Sequence, residues 1–156
     1  MRRLKDREVK ELMREFARTQ PSMNIPESAR DFDEVVVGDN AVYFVDGVGL
    51  IIRIKGNLFP SLRFTKAIEL LPHVVVDMGA IAHIVNGADV MRPGIKEIRS
   101  EFSKDDLVVI IDEKFGKPIA LGFAELDSAK MKGVSRGKAI RSLHYVGDEL
   151  WKNSTK

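Results

Sequence analysis

The chain has 156 residues, of which 44% are hydrophobic and 31% charged, and its net charge at pH 7 is +2. This balance predicts a globular protein with a buried core, and no apolar run is long enough for a transmembrane helix. The lack of cysteine excludes disulfides, thiol nucleophiles and cysteine-based metal sites. Because the charged segment MRRLKDREVKEL lacks the apolar block of a signal peptide, we expect a cytoplasmic protein without membrane contacts.

The first half of the chain predicts a compact α-β-β-β-α unit. Apolar residues at helical spacing indicate an amphipathic helix over Asp6–Arg18, with Val9, Leu12, Met13 and Phe16 on its buried face. Three β-prone runs follow, separated by turn compositions rich in Gly, Asp and Asn: Glu34–Val37, Ala41–Val45 and Val48–Ile54. A second helical pattern, Phe64–Leu71, ends at Pro72.

The second half predicts a small mixed β-barrel with one early helix. The helix spans about Gly79 to Val85 and ends at Asn86-Gly87, a composition that favours a left-handed cap. The strand-like runs are Val74–Val76, Asp89–Met91, Leu107–Ile111, Pro118–Leu126 and Ala139–Val146. We therefore predict an α+β protein in which a small N-terminal α/β-meander domain, residues 1–72, precedes a mixed β-barrel domain, residues 73–156.

Basic residues are concentrated near the C-terminus. The stretch between Ser128 and Gly147 contains no acidic residue and holds Lys130, Lys132, Arg136, Lys138 and Arg141. Elsewhere acidic and basic residues alternate closely, so the overall charge hides a local basic stripe. Such a stripe is typical of a phosphate-binding face, although an ordinary solvated surface has the same composition.

Several motifs, in order over Pro72–Trp151, resemble a PUA domain. VVVDMGAIAHIVNGADVMRPGI (Val74–Ile95) is similar to its opening strand, helix and Pro-Gly turn, and KDDLVVIID (Lys104–Asp112) to a later strand after an acidic turn. PIALGFAEL (Pro118–Leu126) resembles the strand that carries Ala-x-Gly, and RGKAIRSLHYVGDELW (Arg136–Trp151) resembles the closing strand and C-terminal turn. The resemblance implies a PUA-type barrel that binds RNA.

The segments GNLFPSLRF (Gly56–Phe64) and LHYVGDELW (Leu143–Trp151) are similar to the malignant-T-cell-amplified-sequence family and its archaeal relatives, in which a pre-PUA domain precedes the PUA domain. The resemblance implies a non-catalytic RNA-binding protein of the translation machinery, acting in initiation or ribosome recycling without a cofactor. Its implied partners are structured RNA (a tRNA acceptor stem or ribosomal RNA), the small ribosomal subunit and a translation-factor protein. The alternative is an adaptor or accessory subunit that delivers RNA to a separate tRNA- or rRNA-modifying enzyme.

The predicted RNA-binding residues combine small side chains with the basic stripe. Unpaired N–H groups where Gly79 opens the helix are predicted to donate hydrogen bonds to a phosphate or ribose oxygen. Small residues near this helix would let an RNA backbone approach closely: Gly79, Ala80, Gly87, Ala88 and Gly94. Arg92, beside the Pro93-Gly94 turn, is predicted to clamp a phosphate with two N–H donors. Turn formation alone would explain the same glycines.

Within the basic stripe, strand alternation favours Lys138 over Arg141. Side chains alternate across an extended strand, so these two residues face opposite sides unless the strand twists or bulges. Few aromatic residues are available for base stacking, and Phe115 and Phe123 fit core or turn positions. A structured RNA helix is therefore the expected target, rather than a long single strand.

Catalytic and protein-docking functions have weaker sequence support. None of the three histidines has metal-ligand spacing, and Asp105-Asp106 and Asp112-Glu113 occupy turn compositions that indicate solvated carboxylates. No phosphate-binding glycine loop is present. Four apolar residues form either the core of the first domain or an exposed docking patch: Leu58, Phe59, Leu62 and Phe64. An exposed patch would favour a protein partner, and a continuous basic groove from Arg92 to Lys138 would favour RNA.

Overall fold

The computed structural model describes residues 1–156, which form two compact units. The first unit is Met1–Leu70 together with Glu149–Lys156, and the second is Leu71–Asp148. The domain boundary expected from the sequence put all of residues 73–156 in the second domain, whereas the last segment of the chain packs with the first unit. No helix has the combined length and apolar character needed to cross a bilayer.

The first unit is a five-stranded antiparallel sheet with helices. Its elements in chain order are β1 (Arg2–Arg3), α1 (Asp6–Thr19), β2 (Phe32–Val37), β3 (Asn40–Val45), β4 (Val48–Ile54), β5 (Asn57–Pro60), α2 (Thr65–Ile68) and, from the C-terminal segment, α5 (Glu149–Lys152). The sequence missed β1 and β5. β1 is a two-residue edge strand without hydrophobic alternation, and Arg3 Nε binds the buried Asp33 carboxylate at 2.8 Å.

Two of the four apolar residues predicted on the inner face of α1 are buried, and the other two, Val9 and Met13, are half-buried. Leu12 and Phe16 are fully covered, and the Phe16 ring stacks on Phe64 with centroids 6.2 Å apart. Phe64 is buried along with Leu58 and Leu62, and Phe59 is half-buried beside a core cluster. These apolar residues therefore belong to the interior of the first unit, and the exposed patch that would have favoured a docking partner is not formed.

The C-terminal segment completes this unit. Leu150 is buried in a cluster with Val42, Phe44 and Ile52. The Arg63 guanidinium carbon lies 3.4 Å from the centre of the Trp151 ring, a close cation–π contact. The segment thus returns to the first unit through apolar burial and a stacked arginine, neither of which is visible in local sequence patterns.

The second unit is built on a six-stranded mixed sheet in the order β7-β11-β10-β9-β6-β8. Its elements in chain order are β6 (His73–Val76), α3 (Met78–Ile84), β7 (Val90–Met91), a 3-10 turn (Arg92–Gly94), β8 (Ile95–Ile98), β9 (Leu107–Asp112), β10 (Pro118–Ala124), α4 (Ser128–Gly133) and β11 (Lys138–Tyr145). β6 and β9 run parallel, and all other neighbours are antiparallel.

The sheet curls into a half-barrel around one apolar core, and the α+β class predicted from the sequence is confirmed. Val76, Ile84, Ile110, Met131 and Ile140 are among the residues buried in this core. The sequence missed β8 and α4. The helix α4 is only six residues long; Met131 on it is fully buried, while Lys130 and Lys132 are exposed.

Candidate functional site

A concave pocket of about 490 Å3 opens on the second unit between α3, β7 and the 3-10 turn. Its walls are mainly apolar, and four of the predicted RNA-binding residues line it: Gly79, Ala80, Ala88 and Gly94. Pockets of about 300–1,000 Å3 accommodate small organic ligands or parts of larger ones. The pocket is thus large enough for a flat organic ring such as a nucleobase.

Small residues create this space. A Cβ added to Gly94 would lie 3.2 Å from the Ala80 Cβ, so a larger side chain would fill the gap between α3 and the 3-10 turn. The backbone holds the two sides together, because the Asp77 amide donates to the Gly94 carbonyl at 2.9 Å. The structure thus brings four of the small residues singled out from the sequence together around one pocket.

The start of α3 differs from the phosphate site expected there. Asp77 is the N-cap, and its carboxylate accepts a hydrogen bond from the Ala80 amide at 2.8 Å. The helix is also only seven residues long. A phosphate at this end would face a carboxylate and would find the Ala80 amide already bonded, so the geometry favours an uncharged group in the pocket.

Gly87 is not part of the pocket lining. Its φ of +93° places it in the left-handed region, as predicted for a residue that ends the helix. A Cβ there would lie 3.1 Å from the Tyr145 hydroxyl oxygen, so packing also leaves little room for a side chain at position 87. Backbone conformation and packing account for this glycine without RNA contact.

Arg92 is engaged within the protein. Its Nε donates to the Met131 carbonyl at 2.7 Å and its Nη1 to the Ile95 carbonyl at 3.2 Å. The half-buried guanidinium therefore links the 3-10 turn to α4 across 39 positions of sequence. These bonds use two of the five N–H donors of the Arg92 guanidinium and hold the side chain against the protein.

Lys138 lies beside the pocket. It pairs with Met91 in the β7–β11 ladder, and its ammonium is 3.0 Å from the Asp89 carboxylate. Met91 and Asp89 both line the pocket. The remaining cations of the stripe are exposed, with Lys130 and Lys132 on α4 and Arg136 in the loop that leads to β11.

Lys138 and Arg141 are both exposed, in contrast to simple strand alternation. The register of β11 shifts against β7 between Lys138 and Ile140, and Ala139 and Ile140 are consecutive buried residues. This bulge is the exception that the sequence left open. Arg141 also forms an ion pair of 3.3 Å with Glu125 and lies 5.1 Å from the Phe123 ring centre.

Asp89 is a site residue that the sequence did not single out. Burial of its carboxyl group favours the neutral form, but the Ser142 amide, Lys138 and the charge of Arg141 outweigh this effect and lower the pKa of Asp89 below its usual value. The Ser142 amide donates to Asp89 at 2.8 Å. The ionised carboxylate thus holds Lys138 at the pocket rim.

The histidines and carboxylates do not assemble into a metal centre, since no group of three or more metal-ligating side chains comes together. His144 is fully buried and its Nδ1 lies 2.8 Å from the Asp148 carboxylate. Asp112 is buried and bonded to backbone amides, in contrast to the solvated state expected from the sequence. Asp105 is exposed in its turn, as expected.

Comparison with protein families identifies the second unit. Residues 72–146 match the PUA domain model. The chain is 38% identical over 117 residues to an uncharacterized protein of Methanocaldococcus jannaschii, covering 74% of this chain and 72% of that protein. It is 33% identical over 122 residues to Translation machinery-associated protein 20 of Saccharomyces cerevisiae, covering 74% and 67%. Malignant T-cell-amplified sequence 2 of Mus musculus is 30% identical over 105 residues, covering 65% and 58%.

Solved structures share the same architecture. A PUA-domain protein of Aeropyrum pernix, crystallised with tartrate, has a TM-score of 0.82 and 27% identity, with 98% of this chain and 89% of that chain covered. A chain of an H/ACA ribonucleoprotein bound to a substrate RNA has a TM-score of 0.51 and 30% identity, with 62% and 29% covered.

Proposed function

The chain belongs to the PUA-domain family that includes translation machinery-associated protein 20 and the malignant T-cell-amplified sequence proteins, and on this basis we propose that it binds structured RNA of the translation machinery. The family supports an RNA-binding, translation-related role rather than catalysis. The finer proposal is that the RNA is a tRNA acceptor stem or ribosomal RNA, bound in the cytoplasm during initiation or ribosome recycling. The small ribosomal subunit and a translation-factor protein are the proposed partners.

The observation that carries this proposal is the position of Lys138 at the rim of an apolar pocket. An unpaired base fits apolar walls of small residues, while its phosphate remains outside and needs a cation. Lys138 supplies that cation, because its pairing with Met91 in the β7–β11 ladder places it next to a residue of the pocket wall. Asp77 and Asp89 at the pocket wall offer carboxylate oxygens that would accept hydrogen bonds from the amino groups of a base.

The exposed cations provide attraction that does not depend on sequence. Besides Lys138, we propose phosphate contacts for Lys130, Lys132, Arg136 and Arg141. Each phosphate that is neutralised releases counterions, so affinity falls with salt by a slope of about 0.9 per contact on a duplex. Arg92 is proposed to act indirectly, by fixing the turn that forms one wall of the pocket.

Binding to an acceptor-stem minihelix with an unpaired CCA end, measured at two salt concentrations beside a DNA duplex of equal length, tests the proposal. Lys138→Ala should weaken RNA binding and reduce the salt slope by about one contact. Asp89→Asn should also weaken binding, because it removes the carboxylate that holds Lys138 at the rim and that would accept from the amino group of a base, while its amide oxygen can still accept from the Ser142 amide. Lys66→Ala is the control, since Lys66 is an exposed lysine of α2 in the first unit.

The outcomes separate the two interpretations of the basic stripe. Preference for RNA over DNA, with weaker binding by both Lys138→Ala and Asp89→Asn, would support RNA binding at the pocket. Equal and weak binding of both nucleic acids, with Lys138→Ala behaving like Lys66→Ala, would mean that the stripe is ordinary solvated surface.

A further inference from the structure

The hairpin between β9 and β10 presents an aromatic side chain to solvent. Phe115 lies at its tip and is 66% exposed. Single exposed apolar residues are common on protein surfaces, so exposure alone indicates no function. Three further features of this hairpin, its rigidity, its charge and its position, distinguish Phe115 from the other exposed apolar residues.

The hairpin tip is fixed by Asp112, the last residue of β9. The buried Asp112 carboxylate accepts hydrogen bonds from the backbone amides of Lys114 at 2.9 Å, Lys117 at 3.0 Å and Phe115. Gly116 has a φ of +67° and its amide donates to the Asp112 carbonyl at 3.1 Å. A tip held by four bonds loses little conformational entropy when a ligand binds to it.

Two lysines flank the aromatic ring. The Lys114 ammonium lies 5.3 Å from the centre of the Phe115 ring, and Lys117 is exposed two residues later. Glu113 is the exposed acid of the turn, while the negative charge of Asp112 is directed into the backbone amides. An aromatic face with adjacent ammonium groups has the composition that binds an unpaired base and its phosphates.

The hairpin lies at the same end of the sheet as the pocket. The Asp77 amide, just after β6, donates to the carbonyl of Gly94, the residue before β8, and the Glu113 amide donates to the Val76 carbonyl at 3.0 Å. β8, β6 and β9 are successive neighbours in the sheet, so the base of the hairpin is two strand spacings, about 10 Å, from the Gly94 wall. One RNA strand can therefore reach both places.

We propose that Phe115 stacks on an unpaired base of the RNA strand that places another base in the pocket, with Lys114 and Lys117 contacting the phosphates beside the stacked base. This inference rests on the proposed RNA-binding function. It adds a second, aromatic contact point outside the basic stripe, and it accounts for an exposed ring on a hairpin that the buried Asp112 keeps rigid.

The test compares two RNA probes, an acceptor-stem minihelix with an unpaired CCA end and the same minihelix with a blunt end. Loss of one stacked base should make Phe115→Ala bind the CCA probe about 5- to 150-fold more weakly, with an unchanged salt slope. The blunt probe should bind wild type and Phe115→Ala equally. Phe115→Trp should retain tight binding, and Lys114→Ala should lower the salt slope by about 0.7 per lost contact on a single strand.

Val36→Ala is the matched control, because Val36 is 69% exposed on β2 of the first unit. If wild type binds the CCA probe and Phe115→Ala binds it equally well, the stacking proposal is wrong while the proposed function stands. Unchanged affinity of Phe115→Ala for the CCA probe, combined with weaker binding to purified small ribosomal subunits, would place Phe115 at a subunit contact other than an unpaired CCA end and would also overturn the proposal. If wild type fails to bind either RNA, the proposed function itself fails.

Discussion

Replacing Leu150 with alanine should lower the free energy of unfolding of the first unit, although residue 150 lies far along the chain from the rest of that unit. Leu150 is 5% exposed and packs against Val42, Phe44 and Ile52. The substitution removes three carbon groups, which at about 0.8 kcal/mol each gives roughly 2.4 kcal/mol of lost transfer free energy. The cavity left behind raises the expected loss to about 2–5 kcal/mol, a large share of a typical stability of about 5–15 kcal/mol.

Urea unfolding followed by tryptophan fluorescence measures this loss directly. Trp151 is the single tryptophan and belongs to the first unit, so its signal reports the unit in question. With a slope of about 2 kcal/mol per molar urea, the midpoint should fall by about 1–2.5 M. Leu70→Ala is the matched control, because Leu70 is 62% exposed and its truncation should change the free energy of unfolding by at most about 0.5 kcal/mol. Equal midpoints for the two variants would refute the packing of the C-terminal segment described above.

Two further predictions concern the backbone of the first unit and the hairpin of the second. Gly49→Ala should lower the free energy of unfolding by about 1–3 kcal/mol, because the added Cβ would lie 2.8 Å from the Ser154 backbone. Gly133→Ala is the control and should leave the free energy of unfolding unchanged, because no atom lies within 4 Å of its added Cβ. Equal urea midpoints for the two variants would contradict this prediction. Burial favours the neutral form of Asp112, but hydrogen bonds from the Phe115, Lys117 and Lys114 amides outweigh it and hold the pKa of Asp112 below its usual value. The stabilisation by ionised Asp112 is therefore complete above about pH 4 and is lost as the pH falls through the lowered pKa. Asp112→Asn should accordingly make the Tm, followed by circular dichroism, fall less steeply at acid pH than the Tm of the wild type. Parallel curves of Tm against pH for the two proteins would count against this role of Asp112.

The sequence determined the elements that depend on local physics. The helical spacing of Leu12 and Phe16 specifies α1, because a stripe of apolar side chains can be buried only on one face of a helix. Glycine and asparagine turns mark the strand ends, and the ordered motifs from Val74 onward identify the PUA domain, which the family comparison confirms. The small residues of α3 and the 3-10 turn, among them Gly79 and Gly94, also stood out in the sequence. The hydrogen bond from the Ala80 amide to the Asp77 carboxylate, at the start of α3, became visible only in the structure.

Only the tertiary structure determined which partners the charged side chains bind and which of these side chains are exposed. The Arg92 guanidinium bonds to the Met131 carbonyl, a partner 39 residues away that no local pattern indicates. The bulge in β11 leaves both Lys138 and Arg141 exposed, and Asp89 then holds Lys138 at the pocket rim. Register shifts and long-range hydrogen bonds arise from how strands and helices pack together, whereas sequence periodicity records only which side of a single element is buried. For the same reason the C-terminal segment, which follows the last strand of the second unit, could be placed in the first unit only by its packing.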